Sequence, residues 1–413
     1  MRIILFEFRK NILRKSVILP IVILMIVNII VIYAQYRFNN DAFSTEVTKY
    51  NSSKGEWKYY KELHTQLDGD ITEEKQDKVI QLYDNLKEEI DKGDYDTGYT
   101  KNAGTGYIFG DYSLIESNFY LPIKNMVSYT EKNNKLVNQA KENIKFYKKT
   151  GNKYELAKNQ YIVKKYRNRV IHNFYDTTDW KKLLSYNFSD IVLIIFLFLC
   201  VLPLFHQEQI CGMENIILTT KKGRKMYFAG KYISVITGIV MCAVIVAGIN
   251  YLMFYFIYGL KGTGLPIYAL EEFQYSPYNL TMLQAYFVML GLKCLALIVI
   301  STFLCLVANM IKNTMLSFVI FIGAVVGGLY CSGYVCSDSV QKVMIAIASP
   351  FCLFKCSDVF KSLYEMNVFG NFELRIYTCI FVQIVLEVIL VLISYYRYKH
   401  FNSGTYLKNE KQS

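Results

Sequence analysis

Long apolar runs alternate with polar segments along the whole chain. A helix needs about twenty predominantly apolar residues to cross a hydrocarbon core of roughly 30 Å, and longer runs are accommodated by tilting. One run is short, at 190–205, and the others meet or approach this length. The pattern predicts an all-α integral membrane protein with six transmembrane helices. The runs cover residues 17–34, 190–205, 232–258, 281–308, 315–334 and 376–396.

A polar insert, residues 36–188, separates the first run from the second and contains no cysteine. Residues 71–92 carry apolar side chains at helical spacing, and Thr72 is the predicted N-cap. Residues 125–171 follow the same periodicity except at 150–152, where a Thr-Gly-Asn sequence interrupts it. These features predict a mostly helical domain that includes a helical hairpin.

Basic clusters define the topology. Residues 1–15 are basic and amphipathic, which is typical of a helix lying along a membrane surface. A secretory signal peptide is the alternative, although the run that follows is long and no small-x-small cleavage site comes after it. Other basic clusters lie at 221–231 and beyond residue 396. The positive-inside rule places these clusters and both termini in the cytoplasm, so the insert is predicted to be extracellular.

Composition narrows the class of protein. Of the 413 residues 53% are apolar, and the formal charge of +12 invites a nucleic-acid interpretation. We reject it because the basic residues outside the insert lie mostly beside apolar runs, where topology explains them. The four histidines are widely scattered and have no cysteine partners at ligand spacing, which argues against a zinc site. The bias toward Lys, Asn, Ile and Tyr indicates an AT-rich bacterial genome, so we expect a multi-pass protein of the bacterial plasma membrane.

The most informative polar segment joins the second and third runs. It reads FHQEQICGMENIILTTKKGRKMYFAGK from residue 205 to 231 and is too charged to lie in hydrocarbon. Its apolar positions predict a short amphipathic helix, 206–222, that ends in a polar turn. A basic cytoplasmic loop is the simpler interpretation of the charge alone.

The same segment resembles the F-x-x-E-x-x-x-G…T-T-x-x-G-R stretch of type-2 ABC exporter permeases. In that family the stretch follows the second span and docks on a separate ATPase subunit. The resemblance implies an N-terminal elbow helix and first span in 1–35, and spans two to six in 189–413. It also implies a coupling helix and a homodimer, or a heterodimer with another permease, in the lipid bilayer. The residues to which it assigns ATPase coupling are Phe205, Glu208, Gly212, Glu214, Thr219, Thr220, Gly223 and Arg224.

No sequence motif for nucleotide chemistry occurs in the chain. The Gly230-Lys231 pair lacks the earlier glycine and the Ser/Thr of a phosphate-binding loop. Motifs of serine hydrolases and zinc peptidases do not occur either. We therefore expect no enzyme and no cofactor in this chain, and ATP would be bound by a partner subunit.

Two charged residues fall within the apolar runs. Lys293 lies near the middle of the fourth run and Glu387 near the middle of the sixth. Each would cost about 2.5–3.5 kcal/mol facing lipid, so we expect both to face protein or water. A Lys293–Glu387 pair would reduce this cost, either fixing helix rotation or lining a translocation path or proton relay. For Asn250, Gln284 and Gln383 we expect interhelical hydrogen bonds.

Two further segments are predicted on the outer side. In 261–280 the aromatic residues Tyr268, Phe273, Tyr275 and Tyr278 suggest an interfacial belt. Residues 340–348 and 351–364 are amphipathic but too short to span, which predicts re-entrant or interfacial helices in 340–368. Disulfides Cys331–Cys336 and Cys352–Cys356 remain open alternatives to free thiols.

These observations predict a permease that exports a peptide, drug or lipid-like amphiphile, for example in antimicrobial-peptide resistance. Two alternatives remain open. One is an ATPase-independent sensor or immunity protein that binds a peptide through the insert. The other is a proton-coupled carrier that uses Lys293 and Glu387.

Overall fold

The computed structural model describes residues 2–45, 53–92, 108–210, 223–311 and 313–399. Within these ranges the chain is mostly helical, with two short antiparallel strand pairs. In chain order the helices and strands are α1 (Arg2–Asn11), α2 (Lys15–Thr45), α3 (Ser53–Leu67), β1 (Gly69–Asp70), α4 (Glu73–Asp91), α5 (Ile108–Ile115), α6 (Leu121–Thr150), α7 (Lys153–Tyr166), β2 (Asn173–Phe174), α8 (Thr178–Ser185), α9 (Phe188–Ile210), α10 (Gly223–Tyr258), α11 (Met282–Met310), α12 (Thr314–Ser332), α13 (Val340–Ala348), α14 (Phe351–Phe354), β3 (Glu365–Val368), β4 (Asn371–Leu374) and α15 (Arg375–Lys399).

Six helices in the described ranges are long and apolar enough to cross a membrane: α2, α9, α10, α11, α12 and α15. The chain is therefore a multi-pass membrane protein, and the six predicted spans are confirmed. Contacts between the spans show that successive spans run in opposite directions, so α1, the end of α9, the start of α10 and the end of α15 lie at one end of the bundle. The insert lies at the other end.

Helix α11 forms the centre of the bundle. It packs against α9, α10, α12 and α15. The most apolar windows of α9 and α11 are 61% and 56% buried, against 17% for α12 and 22% for α15. Helix α11 begins with a capping box, in which Thr281 and Gln284 each accept a hydrogen bond from the other's backbone N–H. The outer spans present the remaining apolar surface, as expected for helices that contact lipid.

The insert folds as helices α3 to α8, which we call the insert domain. Thr72 accepts a hydrogen bond from the Lys75 N–H, which confirms it as the N-cap of α4. The predicted hairpin is also confirmed, as α6 and α7. Gly151 turns the chain at φ +75°, a conformation that glycine adopts without steric cost, and Asn152 caps α7.

Arg169 fixes the insert domain on the segment between α10 and α11. It is only 3% exposed. Its Nε donates to Asn279 Oδ1 at 2.8 Å, and Nη1 donates to the Ser276 carbonyl at 2.7 Å. The guanidinium lies 4.3 Å from the ring centroid of Tyr166 and 4.7 Å from that of Tyr268. The insert domain is therefore held by charge-assisted hydrogen bonds and cation–π contacts together.

The predicted aromatic belt has a different role for two of its members. Tyr268 is buried and stacks on Tyr129 of the insert domain at 5.2 Å, and Phe273 is only 2% exposed. Tyr278 packs against Phe360, 4.7 Å between ring centroids. An interfacial belt is therefore wrong for Tyr268 and Phe273, because the insert domain covers this segment.

The segment before α15 also differs from expectation. Helix α13 is confirmed at its predicted bounds, but the helix predicted over 351–364 is only α14 followed by a 3₁₀ turn, Cys356–Phe360. Residues 365–374 form the hairpin β3–β4, not a helix. Phe369 and Gly370 make its two-residue turn with positive φ, and Asn367 Oδ1 accepts from the Gly370 N–H at 2.7 Å. The four cysteines considered for disulfides are free thiols in the structure: Cys331, Cys336, Cys352 and Cys356.

Candidate functional site

The predicted coupling stretch begins within α9 and ends within α10. Phe205 is buried near the end of α9, only 4% exposed. Glu208 lies in the last turn of α9, and Gly223 and Arg224 begin α10, as helical backbone positions. Gly212, Glu214, Thr219 and Thr220 lie outside the described residues, as does most of the predicted helix 206–222.

Lys231 of α10 links the two helices that flank this stretch. It is 1% exposed. Its ammonium donates a hydrogen bond to the Leu204 carbonyl at 2.9 Å and lies 4.7 Å from the centroid of the Phe205 ring. A buried cation is costly unless polar groups surround it, so this contact strongly favours one relative position of α9 and α10. The end of α9 and the start of α10 are therefore held together.

Arg14 holds the same region of α9 from the other side. Pro203 has no N–H, so the Leu199 carbonyl, four residues earlier, lacks its usual helical donor. Arg14, in the turn between α1 and α2, donates to that carbonyl from Nη2 at 3.3 Å. Helix α1 itself packs along α10, where Gly238 leaves room for Ile12. The predicted elbow helix thus rests against the helices that flank the coupling stretch.

Tyr232, the next residue of α10, links it to two other spans. Its hydroxyl is hydrogen-bonded to the Glu387 carboxylate of α15 and lies 2.8 Å from Thr302 Oγ1 of α11. Thr302 Oγ1 is also 2.9 Å from Glu387 Oε1. Adjacent residues of α10 therefore contact α9 on one side and the α11–α15 pair on the other.

The predicted Lys293–Glu387 pair is wrong. Lys293 Nζ lies 2.5 Å from Asp190 Oδ1, at the start of α9. Glu387 is level with Thr302, and Thr302 is nine residues beyond Lys293 on α11. At 1.5 Å per residue the two levels are about 14 Å apart, too far for an ion pair. Each residue does face protein as expected, but with a different partner.

The Asp190–Lys293 pair allows a direct test of its energetics. Asp190 is only 4% exposed. We expect Lys293→Met to destabilise the protein by roughly 3–5 kcal/mol, because it leaves a buried carboxylate unpaired. The double variant Asp190→Asn/Lys293→Met should recover most of that loss. The measurement is the folded fraction that survives heating in detergent, by size-exclusion chromatography, with exposed Lys342→Met as control. A double variant no more stable than Lys293→Met would contradict this account.

The predicted interhelical amides divide into two groups. Asn250 of α10 accepts a hydrogen bond from Asn28 of α2 at 2.7 Å, and Gln383 of α15 donates to the Ile347 carbonyl of α13 at 2.7 Å. These two predictions are confirmed. For Gln284 the prediction is wrong, because its side chain accepts from the Thr281 N–H in the capping box of its own helix.

We found no match between this chain and any protein-family model, curated protein or solved structure. Its function must therefore be inferred from its own residues. Among these, Lys231 and Tyr232 had no predicted role beyond a basic flank and an incomplete phosphate-loop motif. Pro203 did signal a carbonyl without a helical donor, but nothing in the sequence identified Arg14 as the group that reaches it.

Proposed function

We propose that the chain is the permease subunit of a type-2 ABC exporter in a bacterial plasma membrane, with both termini cytoplasmic. It would move a peptide, drug or lipid-like amphiphile outward as a homodimer or with a related permease. The energy would come from ATP hydrolysed on a separate cytoplasmic ATPase subunit.

One observation carries the proposal: Lys231 and Tyr232 are neighbours on α10 and contact α9, α11 and α15 just beyond the coupling stretch. A push on residues 206–222 would move α9 and α10 together through the Lys231–Leu204 contact. Tyr232 would then displace α11 and α15. Because α11 is the centre of the bundle, this displacement would reorient the spans around it.

The resemblance of residues 205–224 supplies the identity of the partner. Glu208 and Arg224 are the charged residues of the matched pattern, and both lie at the end of the bundle that carries α1 and the end of α15. With an even number of spans, α1, the coupling stretch and the end of α15 would all face the cytoplasm, in agreement with the basic clusters beside them.

The test is gentle detergent extraction from native membranes, followed by mass spectrometry of the proteins that co-purify. We expect an ABC ATPase subunit, and we expect Glu208→Ala/Arg224→Ala to remove at least nine-tenths of it. The matched control is Lys408→Ala/Glu410→Ala, which removes one charge of each sign from the C-terminal tail. An extract with no ATPase, or one in which a signalling kinase takes its place, would exclude the permease and favour a sensor.

A proton-coupled carrier is the second candidate, and Glu387 favours it. Its Oε1 accepts from Tyr232 and Thr302, but its Oε2 is buried without a partner among the described residues, so protonation would remove a charge that is only partly compensated. For a carrier, Glu387→Gln should abolish uptake or efflux driven by a pH gradient across proteoliposomes. For the exporter, the same variant should leave ATPase association unchanged.

A further inference from the structure

Two cavities lie end to end along one face of α6 in the insert domain. They measure about 220 and 320 Å³. Helix α6 lines the first with Asn125 and Tyr129 and the second with Tyr129, Lys132 and Leu136. Residues three or four apart lie on one face of a helix, so these positions form a single continuous wall.

The opposite wall is the segment between α10 and α11, residues 268–275. Gln274 of this segment, like Tyr129 of α6, borders both cavities, so the two meet between these side chains. On α6 the lining extends from Pro122 to Gln139, about 26 Å at 1.5 Å per residue. An extended peptide rises about 3.3 Å per residue, so the groove matches roughly eight residues. A compact small molecule would fill only one of the cavities.

The centre of the groove holds a buried polar group that the fold leaves unsatisfied. Tyr129 is only 6% exposed, and its hydroxyl has no hydrogen-bond partner of normal geometry. Arg169, behind it, is close enough to donate a hydrogen bond to the Tyr129 oxygen. A guanidinium can only donate, so the Tyr129 O–H still lacks an acceptor, and at the junction of two cavities a ligand could supply it.

The lining is amphipathic and differs in charge between its ends. Tyr275 and Leu136 offer apolar surface in the second cavity, where Lys132 is exposed. Glu271 is exposed in the first cavity. A backbone carbonyl would satisfy the Tyr129 hydroxyl, and a chain with opposite charges at its two ends would match Lys132 and Glu271. A hydrocarbon tail would leave these groups without partners.

We propose that this groove binds an extended peptide segment of about eight residues. An apolar side chain would pack on Leu136 and Tyr275, with the anionic end of the peptide near Lys132 and the cationic end near Glu271. The inference does not rest on ATPase coupling. Under the proposed function it identifies the cargo, or a peptide that regulates export, as the ligand of the insert domain.

The test uses the purified full-length protein in lipid nanodiscs, with a phage-displayed library of random octapeptides as the probe. We expect enrichment of a consistent sequence class over empty nanodiscs. Leu136→Arg should reduce binding of the enriched peptides at least tenfold, because it places a long charged side chain in the groove. Val127→Arg is the matched control, since Val127 is an exposed apolar residue of α6 that lines neither cavity. It should change binding less than twofold.

Loss of binding in Leu136→Arg could also come from misfolding, so two milder variants test the same groove. Tyr129→Phe removes only the hydroxyl and should weaken binding by roughly two- to tenfold, the range of one hydrogen bond. Tyr275→Ala, at an exposed position of the opposite wall, should also weaken binding.

Absence of any enriched peptide, or equal binding by Leu136→Arg and wild type, would overturn the proposal. So would a fluorescent lysophospholipid that binds in place of peptides and is lost in Leu136→Arg, because the groove would then be a lipid site. None of these results depends on whether an ATPase co-purifies, so failure here is distinguishable from failure of the proposed function.

Discussion

Replacing Arg169 with alanine is expected to release the insert domain from the membrane-spanning bundle. The change removes two charge-assisted hydrogen bonds and two cation–π contacts from a side chain that is 3% exposed. Hydrogen bonds to charged groups contribute about 1.5–3 kcal/mol each, so we expect a loss of roughly 4 kcal/mol in the local stability of this contact. Arg169→Lys should recover little, because a lysine cannot direct donors to two acceptors while stacking between two rings.

Hydrogen exchange on the full-length protein measures this effect directly. Backbone amides around residues 166–172 and 267–279 should exchange at least a hundredfold faster in Arg169→Ala. Arg167→Ala is the matched control: Arg167 is exposed two residues earlier, and we expect a change within about 0.5 kcal/mol. Equal exchange in the two variants would mean that Arg169 does not hold the domain.

The position of Arg169 illustrates what the sequence could and could not predict. The end of α7 was predictable from helical periodicity. Asn168 then adopts φ +59°, which turns the chain so that Arg169 points inward and Arg167 outward. Two arginines in one short basic run look alike in sequence. The difference between them depends on a backbone reversal and on hydrogen-bond acceptors, Ser276 and Asn279, more than a hundred residues away.

The spans were predictable because hydrocarbon imposes length and composition on each helix independently. Pairings between spans depend on the positions of the two residues along the axis of the bundle, and here the prediction failed for Lys293 and Glu387. Their levels differ by about nine residues of α11, and Asp190, at the start of α9, is at the right level. The capping box of α11 was available in the sequence, as Thr281 followed by Gln284 three residues later.

The segment that ends in the hairpin β3–β4 shows that apolar periodicity does not reliably predict helices in short segments. Residues 351–364 are apolar often enough to suggest a helix, but α14 ends after four residues. The Phe-Gly turn at 369–370 with Asn367 before it has the local chemistry of a two-residue hairpin turn. A Phe in the first turn position is unusual there, so this signal was weak.

Replacing Lys231 with methionine is expected to uncouple the proposed ATPase contact from the centre of the bundle. Methionine has a similar length and suits a buried site, so the six spans should remain folded. It cannot donate to the Leu204 carbonyl or bind the Phe205 ring as a cation. The ends of α9 and α10 would then move independently, and a push on residues 206–222 would no longer reach Tyr232.

The measurement is hydrogen exchange in α15 of the purified complex, before and after ATP and vanadate are added. We expect wild type to change its exchange there severalfold, and both Lys231→Met and Tyr232→Phe to lose most of that change while the ATPase subunit remains bound. Ser234→Ala is the control, because among the described residues the Ser234 hydroxyl bonds only to the Lys231 carbonyl of its own helix. A full response in Lys231→Met would show that coupling passes through other contacts, because the Lys231–Leu204 bond is the link on which this route depends.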